Sequence, residues 1–230
     1  MPAQIELHNI IKDYTQGDQR QQILRGVDVQ INAGELVAIM GASGSGKTTL
    51  LNLIGLLDRP TGGQYLLKGQ DVTNLSENAR ADMRNQAFGF VFQAFYLLPH
   101  LTILQNVGLP LFYRQMEESL INEYAIPLIE KVGLGQHIQR KPYQLSGGQQ
   151  QRAAIARALV GKPDIILGDE PTGALDTETG QMIMNLLREF NQKEGITTVL
   201  VTHDPRIAAQ CGRTIHIRDG RIVTAEEQKL

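Results

Sequence analysis

An α/β fold built on a parallel sheet is what this sequence of 230 residues predicts, and three observations carry that expectation. Short, nearly continuous apolar runs at 35–40 (ELVAIM), 164–169 (DIILGD) and 197–202 (TTVLVT) suit strands buried on both faces. Segments of helical period, 47–57 and 177–190, alternate with those runs. The first run ends in a glycine-rich stretch that leads straight into a helix.

Taken in order, 4–9 and 26–31 alternate apolar with polar residues and read as half-buried antiparallel strands, with the polar stretch 15–22 between them as a hairpin loop. The strand 35–40 is followed by a helix from Lys47 to about Leu57, stopped before Pro60, Gly62 and Gly63. Strands are expected around 63–67 and 88–93. The pattern is helical over 102–133, with Ile103, Val107 and Leu111, then Ile126, Ile129 and Val132, and reads as an inserted helical lobe.

The sheet resumes at 164–169, followed by a helix over 177–190 that buries Ile183, Leu186, Leu187 and Phe190, and a strand at 197–202. Strand, helix, strand in that order implies parallel pairing with right-handed crossovers. Asp219-Gly220 between 214–218 and 221–224 is a two-residue hairpin signal. The chain is expected to fold throughout except for its last residues, 226–230.

The composition is that of an ordinary globular chain, 42% hydrophobic and 20% charged, with no repeat or low-complexity tract. A net charge of -2 offers no basic stripe, so nucleic acid is not an expected partner. The opening MPAQIELHN lacks a charged-then-apolar leader pattern, and no stretch approaches the roughly 20 apolar residues that span a bilayer, so a cytoplasmic location is expected. Cys211 is the only cysteine, which excludes an intrachain disulfide and leaves too few soft ligands for structural zinc.

The stretch GASGSGKT fits the phosphate-binding pattern GxxxxGK[ST] in the strand-to-helix setting that pattern requires. Gly41, Gly44 and Gly46, interleaved with Ala42, Ser43 and Ser45, let backbone N–H groups turn inward around a polyphosphate at the positive end of a helix. Lys47 is then placed to reach the β- and γ-phosphates of a nucleotide and Thr48 to ligate Mg²⁺, with Thr49 next in the same turn. The apolar strand 164–169 delivers Asp169 toward the magnesium shell, and Glu170 follows as the carboxylate able to polarise an attacking water.

The element that discriminates among nucleotide-cleaving classes is LSGGQ at 145–149. Ser146 is a strong N-cap, Gln149 completes a capping box, and AAIARALV propagates the helix. Gly147 and Gly148 leave bare N–H groups at that helix start, a second anion site.

With these motifs in this order the chain resembles an ABC-transporter nucleotide-binding domain over essentially its whole length. The resemblance implies a single ATP-binding domain across 1–230. A P-loop NTPase (RecA-like) core with an N-terminal antiparallel β subdomain would occupy about 1–93 and 161–230, and an inserted α-helical subdomain about 94–160. It implies ATP and Mg²⁺ as ligands, and closure of two copies on two ATP molecules, with Ser146, Gly147, Gly148 and Gln149 of one copy covering the nucleotide held by the other.

Tyr14 matches the aromatic that stacks on adenine, Gln93 the glutamine linking the magnesium to the helical lobe, and His203 the histidine that touches the γ-phosphate. Ala174, Leu175 and Asp176 match the loop joining the sites. Catalysis would fall to Glu170, His203, Gln93 and Lys47, and metal ligation to Thr48, Gln93 and Asp169.

The run AFYLLPHLTILQNVGLPL, with EPTGALD later, is similar to the branch of MacB-type exporters, LolD-type lipoprotein-release ATPases and FtsE-type division proteins. That branch implies a partner permease in the membrane and mechanical coupling to it, with Phe95, Tyr96, Leu97 and Leu98 forming an apolar ledge. The alternative is a soluble ABC ATPase without a transport role, such as a cluster-assembly scaffold, which the LLPHLT segment disfavours. The guanine signatures DxxG and NKxD are absent, against a GTPase, and a small-molecule kinase gives no reason for LSGGQ.

Overall fold

The computed structural model describes residues 2–17 and 19–223. The strands in chain order are β1 (Ala3–Gln16), β2 (Gln19–Asn32), β3 (Leu36–Met40), β4 (Gly62–Leu67), β5 (Gln70–Asp71), β6 (Phe88–Phe92), β7 (Ile165–Asp169), β8 (Thr197–Thr202), β9 (Arg213–Arg218) and β10 (Arg221–Val223). The helices are α1 (Lys47–Ile54), α2 (Glu77–Ala87), α3 (Ile103–Phe112), α4 (Glu118–Lys131), α5 (Gly147–Leu159), α6 (Thr177–Glu194) and α7 (Pro205–Ala208). The predicted fraying at 226–230, and Thr224 of the last predicted strand, lie outside the described residues. The chain forms two compact units, 1–84 with 197–230, and 85–196.

In the first unit an antiparallel sheet runs in the order β2-β1-β4-β5. Alternation, reset by an irregularity in the ladder between Leu7 and Ile10, buries Ile5, Leu7 and Ile10 of β1 and Leu24, Val27, Val29 and Ile31 of β2. The polar stretch 15–22, expected as a loop, is mostly strand instead: Thr15 pairs with Arg20 and Gln16 with Gln19, and Gly17 turns at φ 60. The ladder continues because backbone pairing does not need apolar side chains, and Arg20 reaches across the ribbon to the Asp13 carboxylate.

The parallel sheet of this unit centres on β3. It pairs with β8, Leu36 opposite Thr198 through Met40 opposite Thr202, and with β9, Val37 opposite Arg213 through Met40 opposite His216. Val37, Ala38 and Ile39 are fully buried, as a strand flanked on both sides requires, and each large aliphatic side chain there contributes about 2 kcal/mol. β9 and β10 form the predicted hairpin, with Asp219 at φ 50 and Gly220 at φ 76, both left-handed as a type I′ turn needs.

Helix α1 stops at Ile54, short of the expected Leu57, because Gly55 caps it and Leu56 turns into the left-handed region at φ 56. The Leu56 carbonyl accepts from Arg80 Nη2 at 2.8 Å and Arg84 Nη1 at 2.7 Å. Both arginines sit on α2, a helix not foreseen from the sequence. Its composition, ENARADMRNQA, has no apolar stripe to reveal it.

In the second unit β6 and β7 pair in parallel, Phe88 opposite Ile165 through Phe92 opposite Asp169. A Cβ on Gly89 would stand 2.2 Å from the Ala158 carbonyl oxygen, so α5 lies directly on β6 only because that residue is glycine. The expected helical stretch 102–133 is divided into α3 and α4. Gln115, at φ 59, makes the break, and α3 starts in a Thr102/Gln105 capping box. Ile103, Val107, Ile121, Ala125 and Ile129 form the apolar seam between them; Ile126, expected in that seam, is half-buried. Helix α6 runs past the expected Phe190 to Glu194 and ends at Gly195 in the left-handed conformation. Among the described residues no helix is long and apolar enough to cross a membrane.

Candidate functional site

The glycine-rich turn after β3 is shaped by what its glycines avoid. A Cβ on Gly41 would stand 2.2 Å from the Ile217 carbonyl oxygen and 2.6 Å from Ser45 Oγ. Gly44 and Gly46 hold φ values of 77 and 104, which side-chain-bearing residues resist. Gly46 caps α1 without any capping side chain, so the positive helix end faces the turn. Lys47 is only 9% exposed, and its ammonium donates to the carbonyl oxygens of Gly41 at 2.8 Å and Ala42 at 2.7 Å.

Ser45 Oγ is buried with no hydrogen-bond partner among the described residues. A buried cation, an uncapped helix end and an unpartnered hydroxyl in one turn fit a polyphosphate. Thr48 is exposed and Thr49 half-buried in the first turn of α1.

The turn is braced by a residue far along the chain. Gly220 N–H donates to the Ser45 carbonyl at 3.0 Å, and its own carbonyl accepts from Arg25 N–H at 2.9 Å. A Cβ there would stand 2.0 Å from the Ile23 carbonyl oxygen. The Asp219-Gly220 hairpin, read from the sequence only as a turn, is thus wedged between β2 and the glycine loop.

Tyr14 lies within β1 and not in a loop, 42% exposed, with its hydroxyl donating to Asp58 Oδ2 at 2.7 Å. Partial burial, and then the Asp58 carboxylate, raise its phenol above the ordinary value, while a hydrogen bond with Thr49 pulls the other way. His203 is exposed and directly follows β8. Because Met40 is opposite Thr202 in a parallel pair, Gly41 and His203 leave the C-terminal ends of their strands side by side.

In the second unit, Gln93 and Glu170 each follow a partner of the Phe92–Asp169 pair. A Cβ on Gly173 would stand 3.0 Å from Gln93 Nε2 and 3.4 Å from Glu170 Cβ, so both side chains converge on that glycine. Glu170 sits at φ 47, a backbone conformation that costs a non-glycine residue about 1 kcal/mol or more and that concentrates at functional positions. Asp169 and Glu170 are half-buried and Gln93 is exposed.

The LSGGQ turn forms the predicted capping box. Ser146 Oγ accepts from Gln149 N–H at 3.3 Å, and Gln149 Oε1 accepts from Ser146 N–H at 2.9 Å. That fixes the amide orientation of Gln149, whose Nε2 then faces His137 Nε2 at 3.2 Å. A Cβ on Gly148 would stand 2.4 Å from Thr179 Cγ2, and one on Gly147 3.6 Å from Leu175 Cδ2. Asp176 caps α6, accepting from Thr179 N–H at 2.9 Å and Thr179 Oγ1 at 2.7 Å. Thr179 therefore joins Asp176 to Gly148 of the LSGGQ turn, and its backbone N–H above all holds the Asp176 carboxyl below the usual range.

Several residues of this unit escaped sequence reasoning. Asn106, fully buried, receives the Leu98 N–H at 2.7 Å and donates to the Leu98 and Leu101 carbonyls. Arg157 donates to the Phe95 carbonyl at 2.8 Å and to that of Tyr96, holding a segment in which Phe95 and Tyr96 take φ 60 and 47. Gln151, fully buried, donates to the Pro171 carbonyl next to Glu170. A polar residue inside an apolar helical stripe was the available signal for Asn106, whereas Gln151, within the polar run GGQQQR, gave none. Of the expected apolar ledge, Tyr96 is 64% and Leu98 36% exposed, whereas Phe95 and Leu97 are half-buried and Leu97 packs on the helical core.

Gly41 through Thr49, Tyr14 and His203 thus belong to the first unit, and Gln93, Asp169, Glu170, residues 146–149 and Asp176 to the second.

The family described as ABC transporter matches residues 24–173. The chain is 49% identical over 222 residues to the ABC transporter ATP-binding protein YvrO of Bacillus subtilis (strain 168), covering 96% of both chains. It is 47% identical over 232 residues to the macrolide export ATP-binding/permease protein MacB of Salmonella typhimurium, of which it spans 36%. Among solved structures, the dimeric bacterial ABC transporter cassette MJ0796 superposes with a TM-score of 0.88 at 44% identity, covering 96% of this chain and 97% of that one. A post-hydrolysis dimer of the same cassette, bound to ADP and Pi, also gives 0.88, at 43% identity.

Proposed function

Because this chain belongs to the ABC transporter family of ATP-binding proteins, we propose that it binds and hydrolyses ATP as a pair of identical copies and uses that cycle to work an integral membrane permease. The single observation that carries the reading is the glycine turn with Lys47 buried over it, a site built for a polyphosphate. MacB supports the transport role, since its name joins an ATP-binding part to a permease, and dimeric MJ0796 supports the pairing.

In this reading Lys47 and the N–H groups from Gly41 to Thr48 bind the phosphates, with Tyr14 against the base and Thr49 behind the turn. Thr48, Gln93 and Asp169 offer hydroxyl, amide and carboxylate oxygens, the hard donor set that suits Mg²⁺, which when bound supplies charge neutralisation on the phosphate oxygens. Glu170 takes the proton from the water that attacks the γ-phosphorus in line, the bond to the bridging oxygen breaks, and ADP and phosphate leave. His203 contacts the γ-phosphate. Ser146, Gly147, Gly148 and Gln149 of the partner copy present their helix start to the same nucleotide, and residues 174–176 relay between the sites.

Such a subunit works on the cytoplasmic face of a membrane, bound to its permease. The exposed Tyr96 and Leu98 beside Gln93 supply an apolar surface for that partner. The experiment that tests the function is phosphate release by the purified chain with MgATP, together with the oligomeric state of Glu170→Gln. Turnover by the parent chain and an ATP-dependent dimer of the variant support the reading. A chain that binds no ATP, or a variant that stays monomeric while the parent dimerises, refutes it.

A further inference from the structure

Besides a hydrogen bond with Thr49 of the phosphate turn, Tyr14 is held by side chains that lie outside every phosphate-binding motif. Its hydroxyl donates to Asp58 Oδ2 at 2.7 Å. The other oxygen of that carboxylate accepts from Lys12 Nζ at 2.6 Å and from Arg59 N–H at 2.7 Å. Lys12 is buried, 7% exposed, and also donates to the Arg59 carbonyl at 2.8 Å. Its ammonium lies 4.7 Å from the centroid of the Tyr14 ring.

An exposed tyrosine on a β-ribbon is ordinarily free to change rotamer. Here a charge-assisted hydrogen bond pins the far end of the ring, and a cation over one face leaves the other for a flat ligand. Although burial opposes it, the hydrogen bonds from Lys12, Tyr14 and the Arg59 amide hold the Asp58 carboxyl below the usual range, so it is ionised and at full strength as an acceptor near neutral pH. Asp58 also sits just past the end of α1, the helix that begins at Lys47. The platform for a base and the turn for its phosphates are thereby tied to one short segment, with Asn52 accepting the Leu57 and Asp58 N–H groups.

We propose that Asp58, backed by Lys12, is a positioning residue for the purine base: it presets the Tyr14 ring so that the base meets an already ordered surface. This rests on the reading of Tyr14 as the base-stacking residue. Preorganisation of this kind changes affinity and leaves the chemical step alone.

The test compares binding of ATP with binding of inorganic tripolyphosphate, which has the phosphates and no base, in the full chain and in Asp58→Ala, Tyr14→Phe, their combination and Tyr14→Ala. Tyr14→Phe keeps the ring and the Lys12–Asp58 pair and removes the hydroxyl with its bonds to Asp58 and Thr49, and Asp58→Ala isolates the Asp58 part, so the two variants check each other. The expected result is a loss of ATP affinity of roughly three- to tenfold in each tether variant, as for lost preorganisation. Tripolyphosphate binding should be unchanged in each of them, and the combined variant no worse than either alone. Equal weakening of both ligands would mark the cluster as purely structural and overturn the proposal. So would ATP affinity that falls in Tyr14→Ala alone. No loss in Tyr14→Ala would instead remove the stacking reading itself.

Discussion

Phe92 stands opposite Asp169 in the parallel ladder of β6 and β7, and the residues one step further along, Gln93 and Glu170, both close on Gly173. Register alone thus brings the Gln93 amide and the base of the Glu170 side chain to one glycine. Glu170→Gln keeps the shape and removes the base, so ATP turnover is expected to fall by about 100-fold or more, as for loss of a general base. ATP affinity should stay within about threefold, because the group acts on the water and not on the bound phosphates. Steady-state phosphate release beside equilibrium binding checks both.

Lys47→Ala removes the buried ammonium over the Gly41 and Ala42 carbonyls. Turnover is expected to drop by at least about 100-fold with weaker ATP binding, since preorganised charge against phosphate oxygens is lost. Full activity in this variant contradicts the phosphate assignment.

Gly220→Ala probes the brace. The new methyl would have to occupy a point 2.0 Å from the Ile23 carbonyl oxygen, in a residue at φ 76. A destabilisation of about 2 kcal/mol or more is expected from steric and backbone strain together. ATP affinity should fall as well, because Gly220 N–H supports the Ser45 carbonyl. Chemical denaturation and ATP titration of the same preparation separate the effects.

Gly148→Ala would press a methyl 2.4 Å from Thr179 Cγ2 and push the LSGGQ turn away from the start of α6. Turnover is expected to fall about tenfold or more, as misplacement of a binding group by a fraction of an ångström does. Adding Thr179→Ser deletes the opposing methyl while retaining the hydroxyl that Asp176 accepts from. The double variant should recover most of the loss, and a double variant as impaired as the single one contradicts the packing argument.

Much of this was legible from residue type and order. The run 35–40 suited a strand buried on both faces, and the glycines directly after it suited a turn, as β3 and its loop bear out. Ser146 and Gln149 announced a capping box that forms as expected. The misreadings have physical causes. Residues 15–22 looked like a loop because polarity was taken for irregularity, yet the ladder is made by backbone groups. Helix α2 was invisible because its anchors are Arg80 and Arg84 reaching a carbonyl, not an apolar stripe. The tether of Tyr14 and the brace by Gly220 are long-range contacts, and spacing in sequence carries no information about them.

The central claim is that the phosphate turn of one copy works with the Ser146 turn of another. Lys47→Ala and Ser146→Arg should each be inactive alone. Mixed in equal amounts, they form hybrid dimers holding one site with both defects and one intact site. Turnover should then rise to about a quarter of the parent value, given random pairing and a symmetric interface. A mixture no more active than its two components contradicts the account, because it would place both groups of each site in a single copy.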